Sequence, residues 1–280
     1  MKPVAFAHAA PREVPAALQL LSEVDAVALA GGQSLVPQLN LRKVRPRAVV
    51  DLNRLTELDH LDIGESAVRI GAMPRMRALE RDPGLRRALP VLPQAIGRIA
   101  DRVVRTRGTI GGSLCHADPA GELPVLAVAL GARLHLRSVR GSRVEPAATF
   151  FYSAHVTSRA RDELLTEVEF PLRQGFRWRF AERSRRAHSG PPLVSACLGV
   201  ATDGAAITGA RLAGGGIRER PMRLPRAEER LRGTRLGTAA ADVLDAAERD
   251  AEPPAECAYR RALLRALLAE VLSEPFERWA

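Results

Sequence analysis

Lysine is nearly absent from this chain. Lys2 and Lys43 are its only two, so arginine carries almost all of a net charge of +10. Aromatic residues are scarce as well, at 4%. That scarcity argues against single-strand nucleic-acid binding, which stacks bases on aromatics set among cations. The arginines run from Arg12 to Arg278 and are interleaved with acids, and the densest cluster, Arg183, Arg185 and Arg186, is short. Such a distribution reads as solvated surface charge, or as a surface for an acidic partner subunit, and not as a nucleic-acid patch.

Cysteine is equally sparse. Cys115, Cys197 and Cys257 are far apart and odd in number, which excludes a disulfide framework. No C-x-x-C pair exists, so this chain carries no iron–sulfur or structural zinc site of the usual spacing. The expected compartment is reducing and cytoplasmic. The opening MKPVAFAHAAP is too short and too polar for the apolar region of a signal peptide. No apolar run approaches the ~20 residues of a membrane helix. A Rossmann G-x-G-x-x-G and a Walker A lysine are both missing.

What is present is an α+β pattern. EVPAALQLLSEV (13–24) reads as an amphipathic helix with Pro15 in its first turn. AVALA (26–30) fits a buried strand, SLVPQLNLR a short helix, and RAVVDL (47–52) a second strand with Asp51 near its end. Strand, helix and strand in so short a span predict a parallel βαβ unit. AVRIGA (67–72), the run 133–139 and LLTEVEF (164–170) alternate as strands. Residues 75–100 are helical between prolines, and Asp118 is the expected N-cap of a helix over 119–130. The first part of the stretch RVVRTRGTIGGS, from Arg102, reads as extended and glycine-rich. After Pro171 the chain turns to antiparallel strands. Phe176, Trp178 and Phe180 share one face, and Asp203-Gly204 marks a hairpin. Three helices close the chain, the last placing Tyr259, Leu263, Ala266, Leu267 and Val271 on one face. The expected division is residues 1–172, with subdomains of about 1–53 and 54–172, followed by 173–280.

Two stretches carry chemistry. LAGGQSLVP (29–37) and TIGGS (109–113) share a plan: an apolar approach, two glycines, then a polar residue. Glycine accepts positive φ and lets another group come close. Successive amides in such a turn form a nest for anions. Gln33, Ser34, Thr109 and Ser113 add side-chain donors, so the pair could clamp a pyrophosphate from two sides. A lone Gly-Gly is most often just a turn, and the residues themselves lead no further than a phosphate or dinucleotide clamp.

LAGGQSLVPQLNLR (29–42) and VRTRGTIGGSLCHADPAGELP (104–124) closely resemble the two FAD loops of the medium, flavin-carrying subunits of molybdenum hydroxylases, the carbon monoxide dehydrogenase and xanthine dehydrogenase type. VVDLNRLTEL (49–58), AVRIGAM (67–73), RERPMRLPRAEERLRG (218–233) and AYRRALLRALL (258–268) fit the same family in order. The resemblance implies a two-part FAD-binding domain of the vanillyl-alcohol-oxidase-like type, followed by a C-terminal α+β domain of antiparallel sheet and helices. It implies that Leu29, Ala30, Gly31, Gly32, Gln33, Ser34, Leu35 and Val36 wrap the FAD pyrophosphate, with Thr109, Ile110, Gly111, Gly112 and Ser113 as the second clamp. Glu122 matches a family Asp on the nucleotide side. Leu165 matches a position whose backbone meets the flavin end.

It also implies partners: a large subunit with the molybdenum cofactor and a small one with two [2Fe–2S] clusters, in a dimer of heterotrimers. Electrons would pass from the clusters through FAD to an acceptor such as NAD⁺, a quinone or oxygen. No catalytic side chain and no metal ligand is expected on this chain. Cys115, His116 and Asp118 have only a weak metal-like spacing. Two rival readings are an independent flavoenzyme and a structural subunit that has lost flavin. The second is motivated by ERSRRAHSGPPLVSACLGV (182–200), where Ser189 and Pro191 replace family aromatics and a lysine is replaced by Ala181 or Glu182. His188 is a candidate to face the ring there, or a loop histidine in solvent. Arg105 and Arg107 are expected in surface salt bridges, with a phosphate as the other reading.

Overall fold

The computed structural model describes residues 2–23, 25–186, 189–235, 241–252 and 257–273, and the side chains of 185–191 lie outside that description. The first unit comprises β1 (Ala7–Ala9), α1 (Val14–Glu23), β2 (Ala26–Leu29), α2 (Leu35–Asn40) and β3 (Ala48–Asp51). Its three strands are parallel in the order β1-β3-β2, with Leu29 opposite Asp51. The expected βαβ unit is therefore present, and β1 joins it as a strand too short to stand out in sequence. Helix α1 buries Val14, Ala17, Leu18 and Leu21, one stripe at helical spacing. The Glu57 carboxylate accepts the Val14 amide at 2.8 Å, satisfying one of the donors left free at a helix start.

The central unit holds β4 (Leu61–Ile63), β5 (Ala67–Gly71), α3 (Met76–Arg81), α4 (Pro83–Ala88), α5 (Val91–Ile96), α6 (Arg102–Arg107), α7 (Ile110–His116), α8 (Glu122–Leu130), β6 (Arg133–Ser138), β7 (Gly141–Pro146), α9 (Ala147–Phe150), β8 (Phe151–Ser153), β9 (Val156–Thr157) and β10 (Leu164–Pro171). Its sheet runs β4-β5-β10-β6-β7, with each neighbouring pair antiparallel. One face of β5, β6 and β10 sends Val68, Ile70, Leu134, Val168 and Phe170 into the largest core. The opposite face carries charge: Glu169 binds Arg69 and Arg133, and Glu167 lies 3.1 Å from His60.

The last unit contains β11 (Phe176–Arg186), β12 (Ser189–Asp203), β13 (Ala206–Gly215), β14 (Met222–Arg223), α10 (Pro225–Leu231), α11 (Ala241–Ala251) and α12 (Ala258–Ser273). Its sheet is antiparallel in that order, and Asp203 pairs with Ala206 across the expected hairpin turn. Alternation gives it two buried faces. Trp178, Phe180, Cys197 and Ala213 enter the central core, while Ala181, Val194, Ala196, Leu198 and Val200 pack on α10 to α12. The face expected for Phe176, Trp178 and Phe180 is thus correct, and the first two rings stack with centroids 5.5 Å apart. Tyr259 and Ala266 differ from the expected face: both are exposed, Tyr259 at 68%, and α12 buries Leu264, Leu267, Leu268, Val271 and Leu272.

Helix α8 joins the central and last units. All nine of its residues are buried, as a helix apolar on every side requires. The C-terminal sheet is stitched to both ends of it. Ser195 Oγ donates to Ala120 O at 3.0 Å and Gly216 N to Pro119 O at 2.9 Å, while Arg211 Nε donates to Ala129 O at 2.6 Å. The helix begins at Glu122, with Gly121 as N-cap, three residues later than expected. Asp118 does not cap it. Its carboxylate accepts the Ala120 amide at 3.0 Å and closes an Asx turn ahead of the helix.

Candidate functional site

Strand β2 delivers Leu29 to the C-terminal edge of the parallel sheet, and the first glycine turn follows at once. Gly32 has φ +76, a left-handed conformation that side chains with a Cβ disfavour. Gly31 meets a different constraint. A Cβ there would sit 2.8 Å from Gly108 Cα and closer still to Arg107 O, so the two glycine-bearing segments touch backbone to backbone. The Gly32, Gln33, Ser34 and Leu35 amides donate to no acceptor among the described residues, whereas Val36 N is bonded to Gly32 O at 3.0 Å. Four consecutive donors beside a left-handed glycine make an anion nest. Ser34 forms no side-chain cap on α2. The Gln33 side chain turns back to Gly31 O at 3.1 Å and braces the turn, which differs from its expected use as a phosphate donor.

The second glycine stretch is not the extended segment that its composition suggests. Arg102–Arg107 is helical, and Thr109–Ser113 forms the N-cap and first turn of α7. Thr109 Oγ1 accepts the Gly112 amide at 3.1 Å, which caps the helix. Tertiary contact offsets the ~1 kcal/mol helix cost of each glycine. A Cβ on Gly111 would lie 2.6 Å from Ala72 Cβ, and its amide bonds Ala72 O at 3.0 Å. Gly108 O accepts the Met76 amide at 2.9 Å, fastening the same corner to α3. Arg75 braces it from behind, donating to Asn53 Oδ1 and Arg107 O, while Asn53 Nδ2 reaches Ala30 O at 3.2 Å.

A cleft of about 1020 Å³ opens between the first and central units, with Pro192 of the last at its edge. Ala30, Gly31, Gly32, Gln33, Ser34 and Leu35 line it, as do Thr109, Gly111, Gly112, Ser113, Glu122 and Leu165. Three expected residues do not. Ile110 is fully buried in the central core, and Leu29 and Val36 line a smaller hollow that shares Ala30, Gly31, Gly32 and Gln33 with the cleft. Leu165 lies at a bulge in the β10–β6 pairing and is 4% exposed.

Glu122 is 7% exposed at the start of α8. Burial pushes its carboxyl up to about 7, and the charges of Glu182 and Asp118 add to the rise. On the cleft lining, the His116 and His155 rings lie tilted by 33° with centroids 4.5 Å apart, and His155 Nδ1 lies 3.0 Å from His116 O. Burial and the neighbouring His155 hold the His116 imidazole below its usual range. These two histidines pack against each other, and Asp118 closes a turn. Among the described residues no group of three His, Cys, Asp or Glu side chains is placed to hold a metal. His155, Arg159 and Met73 line the cleft without a prior signal, because a lone loop histidine or arginine has no pattern. His188 lies outside the described residues. Arg105 is buried, not at the surface: it donates to Glu80 at 3.0 Å and to the carbonyls of Ile99 and Ala100.

Residues 4–173 match the family model described as the FAD binding domain in molybdopterin dehydrogenase, and residues 178–274 match that of the CO dehydrogenase flavoprotein C-terminal domain. This chain belongs to the FAD-binding medium subunits of the molybdenum hydroxylases. Among relatives, the glyceraldehyde dehydrogenase medium chain of Sulfolobus acidocaldarius is 32% identical, with 98% of this chain and 99% of that one covered. The nicotine 6-hydroxylase medium subunit of Paenarthrobacter nicotinovorans is 35% identical over 87% of this chain and 86% of that one. Carbon monoxide dehydrogenase from Hydrogenophaga pseudoflava matches in structure with a TM-score of 0.93 at 31% identity, over the full length of both chains.

FAD is thus the cofactor of this oxidoreductase subunit, and the arrangement suits it. Bare glycines, four residues with uncommitted amides and the Ser34 hydroxyl belong to segments that line the cleft. The cleft volume is at the upper end of the ~300–1,000 Å³ usual for small-molecule sites.

Proposed function

We propose that this medium subunit holds FAD in the 1020 Å³ cleft and relays electrons from iron–sulfur clusters on a partner chain to an external acceptor. The interlocked glycine turns carry this reading, because segments about 80 residues apart in sequence meet backbone to backbone beside one cleft, and the first of them brings four uncommitted amides to it. Ala30 to Leu35, Thr109, Gly111, Gly112 and Ser113 would hold the diphosphate. Glu122 would meet the nucleotide side, and Leu165 the flavin end. Ile110, Leu29 and Val36 would act from behind, by fixing the turns. Bound FAD supplies the redox chemistry, taking up and releasing electrons. The chain's own residues bind, orient and shield it from water. No side chain here is assigned a step on an organic substrate.

The partners fit the same reading: a large molybdenum chain and a small [2Fe–2S] chain, in a dimer of heterotrimers within the cytoplasm. Cys115, Cys197 and Cys257 are free thiols, and this chain has no cluster motif of its own. The test is purification of the untagged protein from its host, with a visible spectrum, cofactor release and identification of co-purifying chains. FAD with both partners is the expected result. Flavin with no partner would support an independent flavoenzyme, and a colourless protein in an intact complex would support a structural subunit.

A further inference from the structure

We propose that Arg173, Arg211 and Arg223 form a binding site for a tetrahedral oxyanion of the phosphate class at the C-terminal end of α8. The site is independent of the electron-relay reading. It stands at the end of α8 opposite the cleft residue Glu122, roughly 13 Å away along the helix.

Three elements meet there. Gly131 closes α8 in a left-handed turn, with φ +74. Arg211 comes from β13, on the face that also sends Ala213 into the central core. Arg223 pairs with Ala213 from β14, so Arg211 and Arg223 are diagonal neighbours on that face. Arg173 belongs to the link between β10 and β11. One terminal nitrogen of Arg211 lies 2.9 Å from the point that a Cβ on Gly131 would occupy, and one of Arg173 lies 3.6 Å from it. The missing side chain leaves two guanidinium groups facing one small space.

The cluster is short of negative charge. Arg211 Nε donates to Ala129 O at 2.6 Å, while its terminal nitrogens reach no acceptor among the described residues. The Arg173 side chain has no partner among them either. Glu228, the carboxylate beside them, is already used. It holds Arg223 through both oxygens and accepts the Leu212 amide at 2.8 Å. Three arginines against Glu228 leave two positive charges in excess. Burial, then the charges of Arg223 and Arg173, push Arg211 down to about 10. The arginines of the central sheet differ: Arg69 and Arg133 share Glu169, and Arg143 lies between Glu145 and Glu163.

A cap on α8 explains the Nε bond of Arg211, since cations suit a helix C-terminus. It does not explain Arg173, or the terminal nitrogens left without acceptors. Guanidinium forks bind phosphate through paired N–H groups. Two forks converging on one point suit the several oxygens of a tetrahedral dianion, whose charge also balances the excess. A planar carboxylate would fill one fork and leave one charge over. The bound anion would tie the β10–β11 link and the last sheet to α8, firming the joint between the central and last units.

The experiment uses the full chain loaded with FAD, so that the glycine turns are filled, at constant ionic strength. Inorganic phosphate is titrated and its binding read from the phosphorus NMR line width, with the melting temperature as a second readout. Wild type is expected to broaden the line saturably, and phosphate to raise its melting temperature above that in chloride. Arg173→Gln removes one fork from an exposed link and should weaken phosphate binding about tenfold, with fold and FAD content unchanged. Arg87→Gln, exposed on α4, is the control and should bind as wild type does. Arg211→Gln should abolish binding; should it fail to fold, Arg173→Gln carries the test. Competition by glycerol phosphate would support a site that admits phosphate monoesters, and its failure one restricted to the free anion. No broadening by wild type, equal affinity in Arg173→Gln, or equal weakening in Arg87→Gln would overturn the site.

Discussion

Gly31-Gly32 and Gly111-Gly112 follow the same sequence plan, and the fold uses them for different ends. In the first pair one glycine permits a left-handed turn and the other a backbone crossing. In the second pair both are helical, and Gly111 serves close packing against Ala72. Free amides accumulate at the first turn, while at the second the Gly112 amide is consumed by the Thr109 cap. The first turn is therefore a donor array, and the second is largely the wall against which that array is set. Two like motifs in a sequence need not be two like sites.

Substitutions at the crossing give the largest effects. Gly31→Ala drives a Cβ into the Arg107–Gly108 backbone, and Gly111→Ala drives one into Ala72. Each is expected to cost about 3 kcal/mol in denaturant unfolding. Both should also lower FAD content, Gly31→Ala by parting the two turns and Gly111→Ala by shifting the start of α7 off Ala72. Equal stability of either variant with wild type would break the close-approach account.

Glu122→Gln comes next, and its sign follows from linkage. The folded carboxyl is raised to about 7, so the neutral form is favoured in the fold. The stability this brings is fully present below the unfolded carboxyl range and is lost as pH rises through about 7. The flavin-free Gln variant should gain on the order of 3 kcal/mol at pH 8 relative to wild type, and little at pH 4. Thermal melts of both proteins across that range would reveal a flat difference if the assignment were wrong.

Gly32 separates conformation from charge. Gly32→Asn keeps a residue that tolerates positive φ and should cost ~1 kcal/mol of stability, with FAD retained. Gly32→Asp should be as stable but lose flavin, because a carboxylate would meet the diphosphate. Equal FAD affinity in the two variants would remove the phosphate from this turn. The smallest change is at the other turn: Thr109→Ala should cost ~1 kcal/mol through the lost cap, and Thr109→Ser almost nothing.

Much of the fold was legible in local pattern. The βαβ unit, the alternating β11 to β13 and the apolar run of α8 follow from periods of two and 3.6 and from turn residues. Strand β1 was not legible, since three residues carry no period. Nor was the helical state of 109–113, because glycine content argued against it and only the Thr109 cap and the contact with Ala72 reverse that balance. Tyr259 was assigned inward by spacing alone, yet α12 is rotated so that its leucines meet the sheet.

By itself the sequence determined the order and type of most elements, the two glycine turns, the lack of cluster cysteines, and through its motifs the family. Only the tertiary structure decided that Gly31 rests on Arg107, that Gly111 rests on Ala72, that Ile110 turns into the core, and that Glu122 titrates near neutrality under burial and the field of Glu182. The reason is physical. Propensity and periodicity act over a few residues and are written locally. Backbone clearance, desolvation and charge coupling act between residues tens of positions apart, and they take their values only once the chain has closed.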